Sequence, residues 1–134
     1  MADPVELSAD AFEPQAETPE EENLHRYEVP NVKTGEPLGE MVMRGFKQPV
    51  LDRYREIRNG TGRAKGDNGK AREYLFRRTF VRFEPYPVDG VTPTLNLGQC
   101  KTPLEFFLAK ALMVVDAVVQ QHVAAVFPDV DEKK

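Results

Sequence analysis

The sequence has 134 residues, of which 40% are hydrophobic and 30% charged, and its formal net charge is −4. That length predicts a single domain with one modest core. The only cysteine, Cys100, excludes an intramolecular disulfide, and Met1–Phe12 lacks the basic start and apolar stretch of a secretory signal, so we expect a cytoplasmic protein.

Residues 1–24 form an acidic segment that we call the arm. Val5, Leu7 and Phe12 are its large apolar groups, too few to offset the entropy of ordering, which predicts an extended or disordered arm. Its carboxylates precede the first arginine, Arg26. They are Asp3, Glu6, Asp10, Glu13, Glu17, Glu20, Glu21 and Glu22. We expect a single globular domain over residues 25–127 and a charged tail over 128–134.

The domain opens with two short runs that favour β-structure, Arg26–Val29 and Glu40–Arg44. The stretch between them, Asn31–Pro37, is rich in turn residues, which predicts a short β-hairpin. A helix is then predicted to begin at Pro49, a typical first helical residue, and to end at Asn59-Gly60. The apolar residues between them recur at helical spacing and predict a short amphipathic helix. They are Val50, Leu51, Tyr54 and Ile57.

A glycine-rich basic stretch, residues 59–69, follows this helix and is interpreted as a mobile loop. It does not match a nucleotide-binding loop of Walker type, since Ala64 and Ala71 stand where a glycine and a Ser or Thr are needed. A second helix is predicted to begin near Asp67 or Asn68. Its end is ambiguous, because residues 79–83 alternate as a strand would. Prolines and glycines make residues 84–101 a connecting loop.

The last helix is the most clearly specified element. Thr102, Pro103 and Glu105 combine a cap, a first-turn proline and a capping-box glutamate, and Pro128 closes the helix beyond about Val126. One broad apolar face is predicted to be core or an interface with a partner. Its residues are Leu104, Leu108, Val115, Val118 and Val119. The fold class is therefore α+β, a small mostly helical domain of about three helices with a hairpin.

Candidate catalytic chemistry is sparse. His122 lies in the middle of the apolar face, where a buried or interface histidine is more common than a metal ligand, and His25 is the only other histidine. Cys100 has neither an activating context nor an orienting third group. We therefore predict no catalytic residue, no cofactor and no metal, and expect a protein that is not an enzyme.

Basic residues concentrate in the middle of the chain and predict an electrostatic contact surface. They are Arg53, Arg55, Arg58, Arg63, Lys65, Lys70, Arg72, Arg77 and Arg78. An acidic protein partner is favoured over nucleic acid because the sequence pI is near 5.3. The alternative is a nucleic-acid-binding protein that uses the basic 44–82 segment, with the acidic arm as an autoinhibitor.

The order of features over residues 40–127 is a short β element, a helix after Lys47-Gln48-Pro49, a basic second helix, a linker and a helix containing residues 104–108, LEFFL. This layout resembles small tailed-bacteriophage assembly proteins of the tail-assembly chaperone type. The resemblance implies a non-enzymatic protein that covers apolar surface on a tail or capsid component, in the host cytoplasm or the virion. Protein partners are expected, and Lys110 and Asp116 argue against a membrane span.

Overall fold

The computed structural model describes residues 23–128 except 32 and 63, so the predicted arm lies almost entirely outside the described residues, as does most of the charged tail. Nine helices and strands follow one another along the described residues. They are β1 (Leu24–Pro30), β2 (Pro37–Arg44), α1 (Gln48–Asn59), β3 (Gly60–Thr61), β4 (Ala64–Lys65), α2 (Asn68–Thr79), β5 (Phe80–Pro85), α3 (Pro103–Lys110) and α4 (Leu112–Val126). The predicted α+β class is confirmed.

A three-stranded antiparallel sheet has the order β1-β2-β5. β1 and β2 form the predicted hairpin, in which Tyr27 lies opposite Met41. Its turn is held by Asn31, whose side-chain oxygen accepts hydrogen bonds from the backbone N–H groups of Lys33 and Thr34 at 2.8 and 3.3 Å. β5 returns beside β2 after two helices, so residues 80–85 are a strand and the strand interpretation of residues 79–83 is correct beyond Thr79.

The helices cover one face of the sheet, where the core forms. Alternate strand residues such as Met41 and Met43 are fully buried against Leu51, Leu75 and Phe76. The spacing predicted for α1 is confirmed, because Val50, Leu51 and Tyr54 are buried there and Ile57 is half-buried. The start of α2 is also as predicted, since the Asp67 carboxylate accepts a hydrogen bond from the Lys70 N–H at 2.9 Å.

The opposite face of the sheet carries charge. Arg26 lies between Glu40 and Glu84, and Arg82 also pairs with Glu84. Hydrogen bonds from Arg82 and Arg26 lower the pKa of the Glu84 carboxyl, although the group is exposed. These side chains lie over Val42, which is fully buried on this face, so the sheet needs no further layer of secondary structure there.

The prediction of one continuous C-terminal helix is wrong. The segment divides into α3 and α4 at Ala111, whose φ of −136° and ψ of 48° leave the helical region. Alanine is the strongest helix former, so nothing local marks this break. A straight helix of that length would run about 36 Å, longer than strands of seven or eight residues can cover. The bend lets α3 pack on β5 while α4 packs on α2 and β1.

The glycine-rich stretch is more structured than a mobile loop. β3 and β4 pair as a small ribbon, and the Asp67 N–H donates to the Ile57 carbonyl at 2.8 Å. Gly66 makes this approach feasible, because a Cβ atom there would lie 2.2 Å from the Arg58 carbonyl oxygen. The ribbon thus folds back on the end of α1 and sets the start of α2.

Gly39→Ala is expected to destabilise the sheet. A Cβ atom at this position would lie 2.5 Å from the Glu84 carbonyl oxygen and 2.6 Å from the Pro85 Cα, both backbone atoms. Overpacking of this kind costs roughly 1–3 kcal/mol of unfolding free energy, measurable by urea denaturation. Gly69→Ala is the matched control, because its methyl group meets only side-chain atoms of Asp67 and Arg72. Equal stability of the two variants would contradict the prediction.

Candidate functional site

An open groove of about 740 Å³ lies at one end of the sheet. The ends of β1, β2 and β5 form one side, and the bend between α3 and α4 forms the other. Loop residues 93–96 close the third side. Its volume lies in the range of sites that enclose a small ligand or an anchoring peptide segment.

Aromatic rings form the inner wall of the groove. Phe107 is 4% exposed, and its ring centroid lies 5.3 Å from that of Phe83 and 5.5 Å from that of Phe106. Val29, Leu95 and proline rings extend the same apolar surface. Because Phe107 is anchored in the core, this wall is rigid and largely preformed.

Exposed apolar side chains collect at the mouth of the groove. Leu38 is 46% exposed, Leu112 45% and Met113 83%, and all three line the groove. Leu112 and Met113 directly follow the bend at Ala111, which turns them away from the core. Large apolar groups grouped around a concavity are a mark of an interaction site, whereas single ones are ordinary.

The charge at the groove has one sign. Lys33 and Lys110 are the only charged lining residues within the part of the chain that the structure describes, and both are exposed. Neither has an ion pair among the described residues. The arrangement therefore favours a ligand that brings apolar groups for the wall and carboxylates for the two lysines.

The predicted interface residues on the last helix lie elsewhere. Val115, Val118 and Val119 are at most 1% exposed and belong to the core of this chain, so of the two predicted roles, core or interface, these three have the first. Other elements of the same chain cover this apolar stripe, because α4 packs on α2 and β1. Leu104 and Leu108 are half-buried against the same core. The accessible apolar surface of this segment is at the bend, which sequence reasoning missed.

The predicted basic surface is partly neutralised by the chain itself. Ion pairs join Arg53 to Glu56 at 3.3 Å and Arg77 to Glu73 at 2.7 Å. Arg72 lies 3.5 Å from Asp116. Carboxylates this close reduce the positive potential that a polyanion would meet.

The remaining basic residues are distributed over α1, α2 and the ribbon. Arg58 lies over the ring of Tyr54 at 5.4 Å, and Arg78 lies over the ring of Tyr74 at 4.7 Å, both as cation–π contacts. Lys65 and Lys70 share a shallow cleft with Glu56 and Asp67. Arg55 is half-buried on α1, and Arg63 lies outside the described residues. Of the nine predicted residues, Arg53, Lys65 and Lys70 line one cleft, and Lys70, Arg72 and Arg77 line another.

His122 is fully buried and satisfied on both ring nitrogens. Its Nε2 lies 2.8 Å from the Arg44 carbonyl, which can only accept, so Nε2–H donates there. Nδ1 therefore accepts from the Tyr27 hydroxyl at 2.6 Å. Desolvation lowers the pKa of His122 to about 4, and burial raises that of Tyr27. The histidine is a neutral part of the core, consistent with the buried-histidine interpretation.

Of the other sequence candidates, His25 lies beside His122, with ring centroids 5.1 Å apart. The rings nearest to it are those of His25, Tyr27 and Phe46, and Cys100 lies in the loop before α3. Across residues 23–128, apart from 32 and 63, no group of three His, Cys, Asp or Glu side chains could hold a metal ion. Within the same residues, no helix has the length and apolar character needed to cross a membrane.

Comparisons with family models, with curated proteins and with solved structures found no match for this chain.

Proposed function

We propose that this chain is a non-enzymatic interaction protein whose groove receives an apolar segment flanked by carboxylates on a partner protein. The observation that carries the proposal is the coincidence of three features at one place. An aromatic wall, exposed apolar side chains and two unopposed lysines all belong to the same groove of about 740 Å³.

The energetics favour a modest, reversible contact. Covering on the order of 200 Å² of apolar surface would contribute roughly 5 kcal/mol before the costs of association. Ion pairs from Lys33 and Lys110, both exposed, add specificity and speed of association more than affinity. An interaction of this strength suits a protein that holds a partner segment temporarily, as an assembly protein does.

An assembly role also agrees with the layout noted in the sequence, and we propose a phage tail or virion component as its setting. The support is chemical: such a protein works by covering apolar surface that another chain exposes. The groove offers an apolar surface for that purpose, and its charged rim would select which segment enters.

The nucleic-acid alternative draws less support. At least three of the nine predicted contact residues, Arg53, Arg72 and Arg77, pair with carboxylates. The cleft around Lys65 and Lys70 also holds Glu56 and Asp67. A polyanion would have to displace or face these acids. Among the described residues, the lining of the groove has two cations and no acid.

Selection of random peptides on the immobilised protein tests the proposal. We expect enriched peptides to combine large apolar residues with Asp or Glu, and to bind about tenfold more weakly after Leu38→Glu and Met113→Glu. Both substitutions place carboxylates at exposed positions of the mouth, so the fold should tolerate them.

Val88→Glu and Val91→Glu form the matched control. These valines are 63% and 68% exposed and do not line the groove. Peptides that bind the control and the wild type equally, but not the groove variant, support the proposal. Peptides that bind all three proteins equally, or the absence of any enrichment, would refute it.

A further inference from the structure

The groove needs an occupant when no partner is bound, because its mouth exposes several large apolar side chains. Leu38, Leu112 and Met113 lie side by side around one opening. Such a surface left uncovered favours nonspecific association. A segment of the same chain with the right chemistry would prevent this.

We propose that the N-terminal arm occupies the groove in cis, with Leu7 and Phe12 against the aromatic wall and neighbouring carboxylates at the lysines. This inference rests on the proposed function, since it names a regulator of the same site. A partner segment would then enter by displacing the arm.

The chemistry of the arm matches that of the groove. Residues 5–13 read VELSADAFE, in which apolar side chains alternate with carboxylates. Glu6, Asp10 and Glu13 lie within this stretch, and no Lys or Arg precedes Arg26. An apolar surface with two cations, Lys33 and Lys110, is complementary to such a segment in both polarity and charge.

The length of the arm is sufficient. It enters β1 at Leu24, and the groove begins at the other end of that strand, at Val29 and Pro30. Five or six strand residues span about 20 Å. The twelve residues from Phe12 to Leu24 extend to about 40 Å, so Phe12 reaches the groove without strain.

Covalent attachment makes a weak contact effective. A short linker sets an effective concentration on the order of millimolar, so even a weak intramolecular contact keeps the groove largely occupied. A partner segment that binds the groove more tightly still displaces the arm, because its higher affinity offsets the high local concentration of the arm.

The basic surface of α1 and α2 is the competing location for the arm. Arg53, Arg72 and Arg77 already pair with carboxylates of this chain. The cleft at Lys70, Arg72 and Arg77 also holds Glu73 and Glu105, whose carboxylates would repel those of the arm. Among the described residues, the cleft at Lys65 and Lys70 has Ile57 as its only large apolar lining residue. It attracts the carboxylates of the arm but has little to bind Leu7 and Phe12, whereas the groove binds both kinds of group.

Backbone amide NMR spectra of the full chain test this inference. The double variant Leu7→Asp with Phe12→Asp is compared with the wild type, and Ser8→Asp, which adds charge without removing an apolar group, is the control. We expect shifts at Leu38, Leu95 and Met113 in the double variant only. Shifts confined to α1 and α2, or no shift in the folded residues, would overturn the inference.

A second measurement tests occupancy of the groove by the arm separately from the binding of a partner segment in the groove. A synthetic peptide of residues 3–14 is expected to bind the Leu7→Asp, Phe12→Asp chain at least about tenfold more tightly than the wild type, because the wild-type arm competes. If groove-specific peptides from the selection bind both chains equally, cis occupancy is wrong and the proposed function stands. If no peptide binds either chain at the groove, both proposals fail.

Discussion

Acidification from about pH 7 to about pH 4 is expected to remove roughly 3 kcal/mol of unfolding free energy through His122 alone. Burial lowers the pKa of this imidazole from 6.5 to about 4 in the folded protein. At pH values between these two pKa values, the unfolded chain binds a proton on His122 that the folded chain does not bind. The stability that the neutral imidazole contributes is therefore fully present above pH 6.5. It is lost as the pH falls toward the pKa of His122 in the folded protein.

His122→Gln isolates this contribution from that of the carboxylates. Glutamine retains a donor for the Arg44 carbonyl and an acceptor for the Tyr27 hydroxyl, but it does not titrate. Urea denaturation at several pH values should show a shallower loss in this variant than in the wild type. His25→Gln is the control, since it keeps the buried imidazole. Identical pH slopes in the wild type and His122→Gln would exclude His122 as the cause.

Phe107→Ala is expected to cost about 3–5 kcal/mol of unfolding free energy, a large part of the stability of a small domain. The ring is 4% exposed and contacts the rings of Phe80, Phe83 and Phe106. Its removal leaves a cavity between α3 and β5, where these ring contacts are lost.

Urea denaturation of Phe107→Ala beside Phe106→Ala measures this effect. Phe106 is half-buried in the same groove, so the smaller loss is expected there. Phe107→Leu keeps most of the buried volume and provides a folded comparison if the alanine variant is too unstable to study. A loss for Phe107→Ala no larger than that for Phe106→Ala would show that the wall is not anchored through this ring.

Local signals in the sequence were sufficient for the elements whose ends are set by their own residues. Thr102 accepts a hydrogen bond from the Glu105 N–H at 3.1 Å, as the capping pattern predicts. Asp67 caps α2 in the same way. The hairpin followed from its turn residues and from the alternation on either side. In each case the interaction joins residues a few positions apart.

The candidate site could not be predicted in this way. Its wall joins Val29, Phe83 and Phe107, which lie far apart along the chain. The sequence left open whether Val115, Val118 and Val119 face a partner or the core, because an apolar stripe has the same pattern whether its cover is another molecule or the same chain. Leu112 and Met113 became the exposed apolar groups only because the bend turns them outward.

The sequence by itself determined the α+β class, the hairpin, the caps of α2 and α3, and the opposed charges of the arm and the middle of the chain. These depend on propensity, periodicity and composition, which are local properties. Only the tertiary structure decided the break at Ala111, the two partners of His122 and the groove with its lysines. Each of these results from packing between elements distant in sequence, where burial outweighs local preference.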